Sequence, residues 1–463
     1  MSPAPAKCFG PNRRDVLRFG SVAVASAAIA PLTAHGSGDS TTNDPAVIFV
    51  WLPGGPPHQD TFDMKPDAPL EYRGPFNPIR TNVTGIQICE HLPKLAGVAD
   101  KFSLIRSVAH TFADHGGGHK RFLTGRDPLQ PAGFVNDTPM VASMAAEVLK
   151  HRRAAVPNYV CGVDGGRQGI DVFSFGSAYL GPQTHPFMVT GDPSDKKFEM
   201  RNLSLLQGTE DKLPDRLSLL KSFDRPLPDH TGTARGMDAI RGRALDLVTT
   251  DAARTAFELN KESPKTRERY GNHRYGQRAL MARRLVEHGA SWVTMVMENA
   301  TPPGGEMIKN HTYNWDSHAV NCHIFEDTQY KLGFLDQAIS ALIEDLYARG
   351  LNKRVLLVVT GEFGRTPKIE YSVGTQTRVT QPGRDHWPQA MSILVSGAVK
   401  TGTVVGSTTS RAEVPKDRPL TPNDLWATVF SHLGIDYNGT SFPDGSGRPM
   451  PMLPYGDVIG ELV

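Results

Sequence analysis

Histidine and carboxylate residues of this sequence gather in short segments next to apolar runs of strand length. The first segment holds His58 and Asp60, which are close enough along the chain to converge on one ion. The second is glycine-rich and holds His115 and His119, whose side chains share one face if the segment is helical. Its glycines, residues 116–118, would let the backbone approach a ligand at a helix N-terminus, which is a natural anion site.

Three further segments continue the pattern. They are residues 314–318 ahead of a long predicted helix, residues 361–367 after an apolar run, and residues 383–388 before another run. Aspartate, glutamate and histidine bind zinc, manganese, magnesium or calcium according to geometry. Ligands of open α/β sheets bind at the carboxyl ends of the strands. Each segment alone is weak evidence, but their shared position near strand ends favours one common metal site.

Six apolar runs predict the strands that would position these segments. The runs cover residues 47–52, 102–108, 158–163, 291–297, 354–360 and 390–396. Continuous apolar runs indicate strands buried on both faces, as in a mostly parallel sheet covered by helices. One helix is predicted around residues 335–346, with Gly350 at its C-terminus, and another begins at Thr421 with capping residues. Strands alternating with helices predict a three-layer α/β sandwich.

Residues from about 190 to 272 differ from the rest of the chain. They are polar and charged, poor in strand signals and mostly helical in pattern. We therefore predict one α/β domain at residues 46–463, with a helical insertion over the sheet in place of a second core.

The N-terminus has the pattern of a removable export signal. Arg13 and Arg14 precede an uncharged apolar run at residues 19–34, which is shorter than the roughly twenty residues needed to span a bilayer. The arginine pair indicates twin-arginine export of residues 1–34 as signal, with residues 35–45 as a spacer. The twin-arginine machinery would then be a partner, and the mature protein periplasmic or secreted. The alternative is an ordinary amphipathic N-terminal helix.

Composition limits the other classes of function. The net charge of +2 argues against a nucleic-acid-binding surface, which would carry a basic excess. No stretch after the signal is apolar and long enough to predict an integral membrane segment. Cys89, Cys161 and Cys322 form an odd, widely spaced set, which indicates neither a disulfide framework nor a cysteine zinc site.

Several ordered motifs carry a family resemblance. They are Gly-Gly-x-x-His-x-Asp-x-Phe-Asp at 54–63, Leu-Thr-Gly-Arg at 123–126, Trp-Asp-x-His at 315–318, Glu-Phe-Gly-Arg-Thr-Pro at 362–367 and Gly-Arg-Asp-His-Trp at 383–387. With these motifs the chain resembles the alkaline phosphatase and sulfatase superfamily, and more closely its secreted branch, domain-of-unknown-function family 1501. The resemblance covers nearly the whole predicted mature chain.

This resemblance implies an alkaline phosphatase-like fold and a two-metal site that hydrolyses phosphate or sulfate esters. The ligands that we expect are Asp316, His318 and His386 for one divalent ion, and His58, Asp60 and Glu362 for a second. The ion would be zinc, manganese, magnesium or calcium. The partner would be a small anionic ester or a sulfated polymer, and we expect no nucleic acid.

The sequence departs from the superfamily pattern at the nucleophile. His115 stands about nine residues before the Thr-Gly-Arg unit, where sulfatases have cysteine or serine, and Thr111 is the nearby hydroxyl. We therefore expect His115 and His119 to face the substrate as catalytic groups. Arg365 or Arg384 would pair with an anionic group of the substrate.

Two hypotheses about function follow. The first is an exported, metal-dependent hydrolase-like protein that acts on phosphate or sulfate esters. The second is a non-catalytic binding or structural protein that retains the fold and has lost the nucleophile. The metal content of the protein and a screen of esters would distinguish them.

Overall fold

A computed structural model describes residues 43–463 except 153, 165–173, 201–211, 213–214, 216–217, 220–250, 303–304 and 307. The predicted signal, residues 1–34, lies outside the described residues, as does most of the spacer. The same holds for much of the predicted helical insertion. At the C-terminal end of that insertion the structure shows two short helices, Asp251–Phe257 and Pro264–Tyr270.

The strands are numbered in chain order. They are β1 Ala46–Trp51, β2 Pro78–Arg80, β3 Gln87–Cys89, β4 Phe102–Val108, β5 Tyr159–Val163, β6 Phe187–Thr190, β7 Trp292–Val296, β8 Val355–Thr360, β9 Gly364–Arg365, β10 Glu370–Val373, β11 Thr380–Gly383, β12 His386–Trp387, β13 Met391–Gly397, β14 Val404–Val405, β15 Ser407–Thr408, β16 Pro415–Asp417, β17 Ser441–Pro443 and β18 Pro449–Pro451.

The helices are numbered in the same way. They are α1 Leu70–Arg73, α2 Pro93–Ala96, α3 His115–Thr124, α4 Val141–Val148, α5 Asp251–Phe257, α6 Pro264–Tyr270, α7 Arg274–Glu287, α8 Ile324–Ala348 and α9 Pro422–His432. In the part of the chain that the structure describes, no helix combines the length and apolar character needed to cross a membrane.

The central sheet has the strand order β14-β4-β13-β8-β1-β7-β5-β6. β13 runs antiparallel to its neighbours β4 and β8, and the other pairs in the sheet are parallel. The six strands predicted from apolar runs are all present in this sheet. The predicted fold class, α/β with a mostly parallel central sheet, is confirmed.

Two apolar cores lie on opposite faces of the sheet, which makes the three layers. Ile48 and Val50 of β1 belong to the core that includes residues of α7 and α8. Val47 and Phe49 belong to the other core, with residues of α3, α4 and α9. Successive side chains of a strand point to opposite faces, so a strand covered on both faces needs apolar residues throughout. This requirement explains why β1 is apolar throughout its length.

The two predicted helices are also present, with the caps that their sequences indicate. Gly350 follows α8 in the left-handed conformation, with φ of 69°, where a side chain would be disfavoured. At the start of α9, Thr421 and Asp424 form a capping box.

The direction of β13 decides where the last motif lies. Because β13 is antiparallel to β8, its N-terminal end lies at the edge where β8 ends, next to the ends of β1 and β4. Residues 383–388, which precede β13, therefore reach the same edge of the sheet as the segments that follow β1, β4 and β8.

Candidate metal centre

Four side chains converge at the carboxyl edge of the sheet. His115 begins α3, Asp316 and His318 lie in the loop ahead of α8, and His386 lies in β12. One possible ligand atom from each of the four lies within 4.8 Å of the others. The structure thus brings together three predicted ligands and one residue that was predicted to face the substrate.

Asp316 is the centre of this group, which we call the ligand cluster. Its Oδ1 atom lies 2.7 Å from Nε2 of His318 and 3.0 Å from Nε2 of His386. Its Oδ2 atom lies 3.1 Å from Nε2 of His115. The Nε2 atoms of His318 and His386 are 3.0 Å apart. Nitrogen ligands of one tetrahedral zinc ion stand roughly 3.3 Å apart, so this donor set fits a divalent ion.

Short backbone pairings hold these residues in place. β12 pairs with β9 so that His386 lies opposite Arg365. Arg365 in turn donates from Nη2 to Oδ1 of Asp316 at 2.7 Å. Gly54, with φ of 104°, packs so closely on this loop that a Cβ atom there would lie 2.4 Å from the backbone nitrogen of Asp316. Glycine at this position lets the loop after β1 contact the loop that carries Asp316.

The glycines at the start of α3 serve packing. A Cβ atom on Gly116 would lie 2.5 Å from the carbonyl oxygen of Gly133, and one on Gly118 would lie 2.9 Å from the ring of Phe363. A Cβ atom on the glycine between them, residue 117, would lie 2.7 Å from Oδ2 of Asp114, whose side chain caps the helix. These contacts explain the three glycines through packing and capping, without a bound anion.

Glu362 forms a second group with the two histidines of α3. Its Oε1 atom lies 2.9 Å from Nδ1 of His115 and 3.2 Å from Nε2 of His119. The amide of Gly54 donates to Oε1 at 2.8 Å and to Oε2 at 3.0 Å. Glu362 is fully buried. His115 therefore connects the two groups, with one ring nitrogen facing Asp316 and the other facing Glu362.

The charges in this region are strongly coupled. Burial disfavours the charged form of His115, but hydrogen bonds with Asp316 and Glu362 raise its pKa to about 9. Burial likewise opposes ionisation of both carboxyl groups, yet the neighbouring histidines hold the pKa of Asp316 and that of Glu362 far below their usual range. Without a bound cation His115 is therefore an imidazolium near neutral pH. In that state it has no free lone pair to act as a base.

The structure places His58 and Asp60 outside the ligand cluster. The Asp60 carboxylate is buried and accepts hydrogen bonds from Nε and Nη2 of Arg384 at 2.8 and 3.0 Å. The Nε2 atom of His58 lies 2.9 Å from the carbonyl oxygen of Ala412. This corrects the ligand set expected for a second ion, because a guanidinium already neutralises Asp60 and Glu362 contacts other histidines.

The two predicted substrate-binding arginines are also buried. Arg384 pairs with Asp60 and donates to the carbonyl oxygen of Tyr72 at 2.7 Å. Arg365 donates to the carbonyl oxygens of Gly55 at 2.9 Å and Trp315 at 3.1 Å, and to Asp316. Both guanidinium groups have less than 2% of their surface exposed. They are therefore positioning residues, since their donors are occupied inside the protein.

Asp385 is a residue that sequence reasoning missed. Its Oδ1 atom lies 3.3 Å from Nδ1 of His318, on the side of the ring away from Asp316. A carboxylate on the second ring nitrogen orients a histidine ligand and fixes its tautomer. The signal was its place directly before His386 in the Gly-Arg-Asp-His-Trp motif.

Together the fold and the ligand cluster define an α/β protein with a candidate metal centre at the carboxyl edge of its sheet. The chain belongs to the family described as "Protein of unknown function (DUF1501)", which matches residues 44–463. The family predicted from the motifs is therefore confirmed.

Solved structures resemble the chain distantly. Ps i-CgsB has 10% identity over 85% of this chain and 72% of its own, with a TM-score of 0.39. A protein in the alkaline phosphatase superfamily from Vibrio parahaemolyticus has 10% identity over 85% of this chain and 67% of its own, with a TM-score of 0.36. Alkaline phosphatase from the Antarctic bacterium TAB5 has 11% identity over 85% of this chain and 99% of its own, and its TM-score is also 0.36. No curated protein sequence matches significantly. At this distance, any hypothesis about chemistry depends on this chain's own residues.

Proposed function

We propose that this protein is a metal-dependent hydrolase of phosphate or sulfate esters. The observation that carries the proposal is the convergence of Asp316, His318 and His386 around one point, with His115 beside them. Such a group of imidazoles and a carboxylate is typical of a bound transition metal. It lies at the strand ends, where α/β proteins bind their ligands.

The ligands that we propose for the ion are Asp316, His318 and His386. Imidazole nitrogens favour zinc over magnesium and calcium, which prefer oxygen ligands. A divalent ion supplies charge stabilisation for an ester oxygen and lowers the pKa of a water molecule. Arg365 and Asp385 would keep the ligands oriented, since they contact Asp316 and His318.

We propose that His115 acts as a general acid. The oxygen of a water molecule forms the new bond to phosphorus or sulfur, the ester bond breaks, and the leaving oxygen takes a proton from His115. The proton of the attacking water returns to His115 at the end of the turnover. The position of His115 supports this role, because its Nε2 atom lies 3.1 Å from Oδ2 of Asp316, beside the proposed ion.

The position of Ser317 supports direct attack by water. Ser317 is the hydroxyl residue between two proposed ligands, and it is buried. Its hydroxyl donates to the carboxylate of Asp327, so it is turned into the protein. Ser317 is therefore unavailable as a nucleophile, and we propose that water attacks the ester directly.

We further propose that the protein works in the periplasm or outside the cell after twin-arginine export. The arginine pair ahead of the apolar run supports this location. The anionic substrate, a small ester or a sulfated polymer, would then come from the same compartment.

A binding or structural role is the second candidate, and it is favoured by the place of His115 among the four residues of the ligand cluster, with its Nε2 atom 3.1 Å from Oδ2 of Asp316. If His115 also binds the ion through Nε2, four protein ligands surround it, as in closed structural zinc sites. Catalytic zinc sites keep one position open for water or substrate. The coordination of His115 therefore separates the two candidates.

Metal analysis and an ester screen test the proposal. Protein purified without chelator should contain about one transition-metal ion per chain, and it should hydrolyse at least one phosphate, sulfate or phosphonate ester. The His318→Ala variant should lose both properties. Bound metal without hydrolysis of any ester would favour the binding or structural role, and a metal-free wild type would contradict both candidates that use the ion.

A further inference from the structure

A buried ion pair lies beneath the loop that carries two of the proposed ligands. Asp327 is in the first turn of α8, and Lys331 follows one helical turn later. Their side chains are 0% and 1% exposed. The Nζ atom of Lys331 donates to Oδ2 of Asp327.

The Asp327 carboxylate accepts hydrogen bonds along the length of this loop, residues 311–318. Its Oδ1 atom accepts from the amide of Thr312 at 3.1 Å and lies 3.1 Å from Nδ1 of His311. Its Oδ2 atom accepts from the hydroxyl of Thr312 at 3.1 Å and from that of Ser317. Lys331 adds bonds to the hydroxyl of Thr312 at 2.6 Å and to the carbonyl oxygen of Asn314. Both ends of the loop are thus tied to one carboxylate.

The bond to Ser317 matters most for the metal centre. Ser317 stands between Asp316 and His318, so fixing its side chain inward limits where the two proposed ligands can point. The loop has a second anchor at Trp315, whose amide donates to the carbonyl oxygen of Pro53 at 2.7 Å. Asp327 supplies the anchor on the helix side.

Stability alone is a weak explanation for such a pair. Burying two charges is costly, and apolar replacements of buried ion pairs are often neutral or stabilising. The geometry of the loop, in contrast, depends on a carboxylate that accepts from several donors at once. An apolar side chain at this position would leave those donors without partners.

From these contacts we infer that Asp327, supported by Lys331, is a positioning residue that sets the geometry of the Asp316 and His318 ligands. The inference rests on the proposed function, because it concerns the affinity of the same site for its ion. It adds a residue that contacts neither the ion nor the substrate.

The experiment compares Asp327→Asn with Asp336→Asn. Asp336 is a control for the loss of a buried carboxylate on the same helix, because it accepts two backbone hydrogen bonds, from Lys94 and Leu95, in another loop. We expect Asp327→Asn to raise the Kd for Zn²⁺ by about 10-fold or more, which is the usual effect of removing a residue that orients a metal ligand. Asp336→Asn should leave the Kd unchanged. Calorimetric titration of metal-stripped protein with Zn²⁺ measures both.

Amide hydrogen exchange of the metal-free protein provides a readout that does not depend on the ion. Peptides covering residues 311–318 should exchange faster in Asp327→Asn, whereas in Asp336→Asn the faster exchange should fall on residues 93–97. If Asp327→Asn does not fold, Ser317→Ala tests the same link and should show a smaller change in the same direction.

Three results would overturn the inference. They are an unchanged Kd for Zn²⁺ in a folded Asp327→Asn protein, an equal loss of affinity in Asp336→Asn, and unchanged exchange at residues 311–318. A wild type that binds no Zn²⁺ would instead contradict the proposed function, and the exchange data would still decide whether Asp327 orders the loop.

Discussion

The Nε2 atoms of His318 and His386 face each other at 3.0 Å, although 68 positions separate the two residues in the sequence. Both atoms also lie within 3.0 Å of Oδ1 of Asp316. At these distances a proton or a cation has to lie between the three atoms. The cluster is therefore a candidate set of ligands, which the first two predictions test.

The first prediction concerns the ligands. We expect His386→Ala to lower the affinity for Zn²⁺ by more than the roughly 10- to 100-fold loss that removal of an outer-shell partner causes. His58→Gln should leave the affinity unchanged, because His58 contacts the carbonyl oxygen of Ala412 outside the ligand cluster. Metal content after dialysis measures both variants. Equal loss of metal in the two variants would mean that His58 is a ligand after all.

The second prediction concerns His115 as a general acid. His115→Ala should slow hydrolysis of esters with poor leaving groups by about 100-fold or more. Esters with good leaving groups need less protonation and should be affected less. The ratio of kcat values for an alkyl and a nitrophenyl ester measures this, with bound metal counted in parallel. Loss of the metal would instead identify His115 as a ligand of a closed site.

The third prediction follows from the proposed attack by water. Without a covalent enzyme intermediate, the alcohol product and inorganic phosphate or sulfate should appear at the same rate. Rapid-mixing measurements of nitrophenol and of inorganic phosphate or sulfate released from a nitrophenyl ester test this. A burst of nitrophenol ahead of the inorganic product would reveal a nucleophilic side chain that the proposal lacks.

The fourth prediction concerns pH and stability. Burial lowers the pKa of His58 from 6.5 to about 4 in the folded protein. Between these two pH values the unfolded chain binds a proton at His58 and the folded protein does not. The contribution of neutral His58 to the free energy of unfolding is therefore complete above pH 6.5 and is lost as the pH falls toward 4. Between pH 7 and pH 5 this amounts to about 2 kcal/mol.

The His58→Gln variant serves as the control for this effect, because glutamine can donate to the same carbonyl oxygen without titrating. Denaturant unfolding of metal-free protein at the two pH values should show a larger loss of unfolding free energy in wild type than in the variant. Parallel losses would mean that His58 is protonated in the folded state or accessible to water.

The fifth prediction concerns export. Replacing Arg13 and Arg14 together by lysine should leave the uncleaved precursor in the cytoplasm, because the twin-arginine pathway recognises the arginine pair. Immunoblots of cytoplasmic and periplasmic fractions measure this. Normal export of the double variant would leave a general secretory signal as the explanation of the apolar run.

Local pattern was enough to predict the framework of this protein. The strands of the sheet could be predicted because both faces of the sheet are covered by apolar cores. Ile48 of β1 packs in one core and Phe49 in the other, so both have to be apolar. The cap at Thr421 was also predictable, since it involves bonds between residues three positions apart. The ordered motifs identified the family for the same reason, because each motif is contiguous.

Only the tertiary structure decided which charged groups meet. Asp60 and Arg384 are 324 positions apart, and their pairing removes both from the roles that the motifs suggested. Asp316, His318 and His386 come together because β13 runs antiparallel and returns residues 383–388 to the edge where β8 ends. Strand direction depends on packing across the whole sheet, so it cannot be predicted from the few residues of one strand. Residue types and their order were thus set by the sequence, whereas the partner of each side chain was set by the packing of distant segments.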